Sequence, residues 1–139
     1  MQTFLPYPEF ARSAGCLDRQ RLGKQRVEAW QVLHVLLGES VGWQNHPATL
    51  MWRGSETALA LYGEAICREW RSRGYQDSML ERFARRADGP LALAYRPPVW
   101  LGNETFHRSH QSNLVRKLPA HYGPLFPGVS GDLPYVWPV

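Results

Sequence analysis

Between Leu17 and Leu33 the chain sets one acid, Glu28, behind four basic residues, Arg19, Arg21, Lys24 and Arg26. A carboxylate held among cations can stabilise a developing positive charge or move a proton, while the cations hold an anionic polymer. The plainer reading of Glu28 is a solvated helix residue facing Lys24, in the weaker Lys-before-Glu order. Further basic residues fall in three groups: Arg68, Arg71 and Arg73; Arg82, Arg85 and Arg86; and Arg116 with Lys117. Each group alone is an ordinary solvated surface. Converging in space, they would track a phosphate backbone. Arg82, Arg85 and Arg86 have few acids nearby in sequence, so their repulsion argues for an anionic partner. His107 and His110 have the spacing of a metal-ligand pair, but only Glu104 is at hand to complete a set, so no metal is expected. His46, followed by Pro47, Thr49 and Trp52, is expected to line a pocket or cap a loop.

The elements that must hold these groups are helical. Residues 1–10 carry Pro6 and Pro8 and read as an extended arm. A first helix is expected from about Ser13 or Asp18 to Leu37, stopped by Gly38; Leu22, Ala29 and Leu33 would face the core and Arg21, Lys24, Glu28 and Gln31 another face. Residues 39–54 read as a loop. A second helix is expected from Ser55, as N-cap, to Arg73, with Leu59, Tyr62, Ile66 and Trp70 as its apolar stripe. A third begins near Asp77, with Ser78 and Glu81 at capping-box spacing, and ends at Asp88-Gly89. Pro97-Pro98 breaks the chain, and a fourth helix runs from Asn103 to Leu118. The tail from Gly123, with four prolines and three glycines, should be irregular yet docked through Tyr122, Phe126, Tyr135 and Trp137. With no alternation long enough for a sheet, the fold class is all-α: a compact single-domain bundle with an extended N-terminal arm and an irregular C-terminal tail.

Composition sets the outer bounds. The 139 residues suffice for one domain with a real core. The net charge is +4 and the pI about 9.4, which permits a polyanionic partner. The basic residues are nearly all arginine; Lys24 and Lys117 are the two lysines. Two cysteines, Cys16 and Cys67, form no CxxC pair and fit a reducing compartment. No apolar run approaches the ~20 residues of a membrane span, and residues 1–6 lack the pattern of a signal peptide. A cytoplasmic, monomeric protein without membrane contact is expected. No P-loop, dinucleotide fingerprint or Ser-His-Asp arrangement is present, nor the carboxylate cluster a two-metal nuclease needs.

The chain resembles the pyrimidine-dimer DNA glycosylases, the endonuclease V type found in phage, and more closely a bacterial branch opening with Thr-Phe-Leu-Pro-Tyr-Pro. The resemblance rests on Leu17-x-x-Gln20-Arg21-Leu22 with Glu28, on His46-Pro47-Ala48-Thr49-x-x-Trp52, and on Tyr62 to Tyr75 with Gly74. It ends on Ser109-His110-Gln111-Ser112-Asn113-Leu114-x-Arg116-Lys117 and Tyr122. It covers most of residues 1–139 and implies one helical glycosylase domain with its N-terminal arm lying between the helices. It implies attack on the sugar C1′ by an α-amino group at the chain start, leaving an imine from which β-elimination can cut the strand. Glu28 takes the place of the assisting glutamate and Lys117 that of a phosphate-holding cation. Arg21, Lys24, Arg26, His46, Asn113 and Arg116 fall in the DNA-contacting set. The partner is damaged double-stranded DNA, and no cofactor is required. One departure is chemical: phage members expose a small threonine after methionine removal, whereas Gln2 is long and usually leaves Met1 in place. The attacking amine is therefore that of Met1, or of Gln2, or of Lys24 one turn before Glu28.

Overall fold

The computed structural model describes residues 1–87 and 96–139. Within them lie seven helices and no strand: α1 Phe10–Cys16, α2 Arg19–Leu36, α3 Pro47–Leu50, α4 Glu56–Ser72, α5 Leu80–Ala87, α6 Glu104–Lys117 and α7 Pro119–Tyr122. None is long and apolar enough to cross a membrane.

The first expected helix is split. Leu17 and Asp18 are both extended, which ends α1 and starts α2 afresh. Leu17 is fully buried, and the amide of Asp18 donates to the Tyr122 hydroxyl at 2.9 Å, so the break is pinned from α7. From there α2 behaves as its periodicity predicts. Leu22, Ala29 and Leu33 are buried, Val32 joins them, and Gly38 follows at φ 76°, the left-handed turn that glycine reaches without a Cβ penalty.

Helix α4 packs against α1, α2 and α5 and supplies the centre of the core through Leu59, Tyr62 and Ile66. Its contact with α5 depends on Gly63: a Cβ there would fall 2.2 Å from the Phe83 ring. Ser55 occupies the N-cap position of α4 without a side-chain cap bond. At α5 the cap is Asp77 and not Ser78. Asp77 Oδ2 accepts from the Leu80 amide at 2.9 Å, while Glu81 turns to Arg71. The expected stop at Asp88-Gly89 lies outside the described residues. Inside the expected 39–54 loop sits α3, opened by Pro47 at N1 and capped by His46, whose Nδ1 accepts from the Ala48 amide at 3.0 Å. Asn103 caps α6 through the Phe106 amide.

The arm, residues 1–9, runs between α2 and α6, and side chains take over its backbone hydrogen bonds. Phe4 N donates to Gln25 Oε1 at 2.9 Å. Leu5 is held from both sides: its N–H donates to His110 Nδ1 at 2.9 Å, and its carbonyl accepts from His107 Nδ1 at 2.7 Å. Pro6 O accepts from Gln111 Nε2, and Tyr7 exchanges bonds with Ser13 Oγ. The His107/His110 pair therefore clamps one residue, Leu5, by the two peptide groups that flank it. Both rings are neutral for this task. His107 Nε2 accepts from Gly102 N, and burial drives His110 down to about 3.

The tail from Gly123 to Val139 is irregular and docked: Phe126 is buried, and Tyr135 and Trp137 pack on the core. Leu133 is tied to α6 by Ser112, Asn113 and Arg116.

Candidate active site

Gln25 organises the site. It is buried on α2, three residues before Glu28, and uses its full hydrogen-bonding capacity. Its Nε2 donates to Gln2 O at 2.8 Å and to Glu28 Oε2 at 3.3 Å. Its Oε1 accepts from Phe4 N and lies 2.6 Å from the Tyr62 hydroxyl, which also meets Phe4 O at 2.9 Å. The arm and the carboxylate are thus fixed to one amide. Glu28 Oε2 accepts in addition from Gln2 N at 3.1 Å, so residue 2 of the arm lies directly on the acid. Gln2 is itself buried, with Oε1 on the Thr3 amide and Nε2 enclosed without a hydrogen-bond partner among the described residues.

A cleft of about 260 Å³ opens on this junction, lined by Met1, Gln2, Phe4, Gln20, Arg21, Lys24, Glu28, Lys117 and Tyr135. A wider, more open hollow of about 750 Å³ shares Gln20, Lys24 and Glu28 with it and extends along α2 to Trp70. Gly23 permits that extension, since its missing Cβ would meet the Trp70 ring at 3.2 Å. His46 stands close enough to feel the site. Burial, and then the positive amino group of Met1, hold its imidazole below the ordinary value against the opposing pull of Glu28.

The predicted cations divide sharply. Lys24 and Lys117 line the cleft, are exposed, and have no carboxylate within ion-pair distance among the described residues. Arg21 lines it too but is paired with Asp18 at 3.1 Å. Although burial alone would raise Asp18, the Tyr122 hydroxyl and Arg21 hold its carboxyl below the usual range. Arg26 points elsewhere: its guanidinium grips Asp77 at 2.6 Å over the Trp70 ring, tying α2 to the start of α5. Asn113 is buried and bonds Ser109 O and Leu133 O, and Arg116 bonds Gly131 O and Leu133 O. All three serve as structural ties: both amide hydrogens of Asn113 are spent on the protein, and Arg26 and Arg116 are each oriented by bonds from Nε and Nη2. The wider arginine groups do not form one free surface either. Arg68, Arg71, Arg73 and Arg86 pair with Glu64, Asp77 and Glu81, Glu69, and Glu39. Arg86, expected to lack an acid, finds Glu39 because the fold brings the end of α2 over α5.

Gln25 was not singled out from the sequence, and Gln20 and Tyr135 entered it only as a motif residue and a tail-docking aromatic, not as site residues. Gln25 had one available signal, its position three residues before Glu28 on the same helical face. Tyr135 reaches the cleft from a tail without periodicity, so no local pattern announces it.

A family model described as pyrimidine dimer DNA glycosylase matches residues 1–82. The chain belongs to that family. The matched region holds the arm, Gln25, Glu28, Lys24 and His46, while α6 and Lys117 lie beyond it. No curated protein and no solved structure matches the chain. As a family of DNA-repair glycosylases acts on DNA, the cleft of this glycosylase is the place to look for its chemistry.

Proposed function

We propose that this glycosylase cuts the N-glycosidic bond of a pyrimidine dimer in duplex DNA with the α-amine of Met1 as nucleophile and Glu28 as the assisting acid. The observation that carries the proposal is the contact of Glu28 Oε2 with the amide of residue 2, in the cleft that Met1 also lines. The amine nitrogen bonds to C1′ as the bond from C1′ to the base breaks. The base leaves with the electron pair and takes up a proton, and the carboxylate stabilises the cationic sugar. Opening of the sugar ring gives an imine. Loss of a C2′ proton then expels the 3′ phosphate, and hydrolysis returns the amine. Lys24 and Lys117, with no internal acid to satisfy, hold phosphates on either side of the cleft.

Borohydride reduction during turnover on dimer-bearing or abasic duplex DNA should trap a covalent complex. Peptide mass spectrometry should find the adduct on Met1. An adduct on Lys24 would move the nucleophile one turn along α2, and one on Gln2 would mean that Met1 is removed and the freed amine sits against Glu28. Glu28→Gln should slow base release about 10²–10⁴-fold with DNA affinity kept within a few fold. A Glu28→Gln protein as active as wild type, with no trapped species from either, would overturn the proposal.

A further inference from the structure

Trp43 is the exposed end of an aromatic series that begins in the cleft. Tyr135 lines the cleft beside Met1, Glu28 and Lys117. Its ring lies 5.4 Å from that of Trp137, Trp137 lies 5.9 Å from His46 and edge-on to it, and His46 lies 5.5 Å from Trp43. His46 cannot swing freely, because its Nδ1 holds the Ala48 amide. Trp43 itself is 54% exposed, and Val41 beside it is 81% exposed. Trp43 is also the non-glycine residue with a positive φ, 65°, among the described residues. An exposed tryptophan gains little from a left-handed backbone that keeps it out of the core, whereas strained residues of this kind gather at functional sites.

We propose that Trp43 enters the base stack of the duplex beside the lesion as a wedge, with His46 and Trp137 as the platform behind it. The inference rests on the reading of the cleft as a DNA glycosylase site. A glycosidic bond inside a duplex is out of reach of an amine at the base of a narrow cleft until the helix is kinked or a base displaced. An apolar ring inserted at one step unstacks it, and a tryptophan face replaces the lost stacking. The occupant is an opened base step, because the series leads directly from the reacting groups and the free cations flanking it, Lys24 and Lys117, suit the adjoining phosphates.

The test compares two substrates. On duplex DNA bearing a lesion, Trp43→Ala should lower the single-turnover rate about 10–100-fold, while cleavage of a single-stranded abasic oligonucleotide stays within threefold of wild type. Trp43→Phe should recover most of the duplex rate. With 2-aminopurine beside the lesion, wild type should change its fluorescence on binding, as the base exchanges its neighbour for the indole, and Trp43→Ala should not. Equal losses on both substrates, or an unchanged duplex rate, overturns the wedge while leaving the glycosylase reading intact. A wild-type protein inert on both substrates overturns both.

Discussion

Replacing Gln25 by Leu tests whether the arm is a positioning device. The side chains are close in size, so the change removes hydrogen bonds more than volume. Two groups lose their partner: the Phe4 N–H and the Gln2 carbonyl. Tyr62 keeps Phe4 O, and Glu28 keeps the Gln2 amide. A buried polar group left unpaired costs about 1–3 kcal/mol, so the pair amounts to roughly 2–6 kcal/mol. The arm can relieve part of this by drawing water in, which places the expected loss near ~3 kcal/mol. At about 3–4 °C per kcal/mol for a chain of this size, the melting temperature should fall by ~10 °C. The same relief loosens residues 1–4 from α2. A misplacement of about 1 Å in a reacting group costs on the order of 10²-fold. Differential scanning fluorimetry, together with the rate of borohydride trapping on abasic duplex DNA well below the melting point, reads both effects. A melting point lowered as expected with a trapping rate within threefold of wild type would refute the claim that Gln25 places the amine.

Lys117→Ala should weaken DNA binding about equally for damaged and intact duplex and reduce the salt dependence of log K by roughly one phosphate's worth, ~0.9, in titrations at several salt concentrations. Arg116→Ala, by contrast, should leave that slope unchanged and free the tail, seen as faster proteolysis after Gly131. Asp77, whose side chain is fully enclosed between Arg26 and Arg71, is held below the ordinary carboxylate range by Arg26 and the amides capping α5, although its burial opposes this. Its contribution is therefore present above the unfolded carboxyl pKa and lost as pH falls through the lower folded value; wild type should lose stability on acidification below about pH 4, and Asp77→Asn should be about 3 kcal/mol less stable at pH 7 with a flatter pH profile in chemical denaturation. Gly63→Ala should cost about 2–3 kcal/mol by the same measurement, because α4 and α5 must part to admit the new methyl against Phe83.

The helices were legible because their signals are local. Leu22, Ala29 and Leu33, or Leu59, Tyr62 and Ile66, repeat at a spacing that only a helix can bury on one side. The resemblance pointed to Glu28 and Lys117, and the fold brings them to one cleft although they lie far apart in sequence. What local pattern does not encode is who satisfies whom. Arg26 fell in the DNA-contacting set that the resemblance implies, and the fold pairs it with Asp77 from the segment between α4 and α5. His107 and His110 had the spacing of a metal-ligand pair without the partners to complete one, and they hold the N–H and the carbonyl of Leu5. Asn113 and Arg116 were spent on a tail whose course no periodicity could forecast. In each case the deciding partner is remote in the chain.

The clamp on Leu5 also sets an order of events during synthesis. Leu5 and Pro6 are made long before their partners on α6, at a separation of 105 residues for Leu5 and His110. A helical bundle of this size ordinarily folds through near neighbours and does so fast. Here the arm must wait, and the loop that closes on it spans most of the chain. The part of the arm beyond Phe4 is therefore seated late, while Gln2 and Phe4 find their partners on α2 close by in the chain. A half-finished polypeptide holds α2 and its ties to Gln2 and Phe4 but lacks the clamp of His107 and His110, so the arm is fixed along its whole length only once α6 has been made.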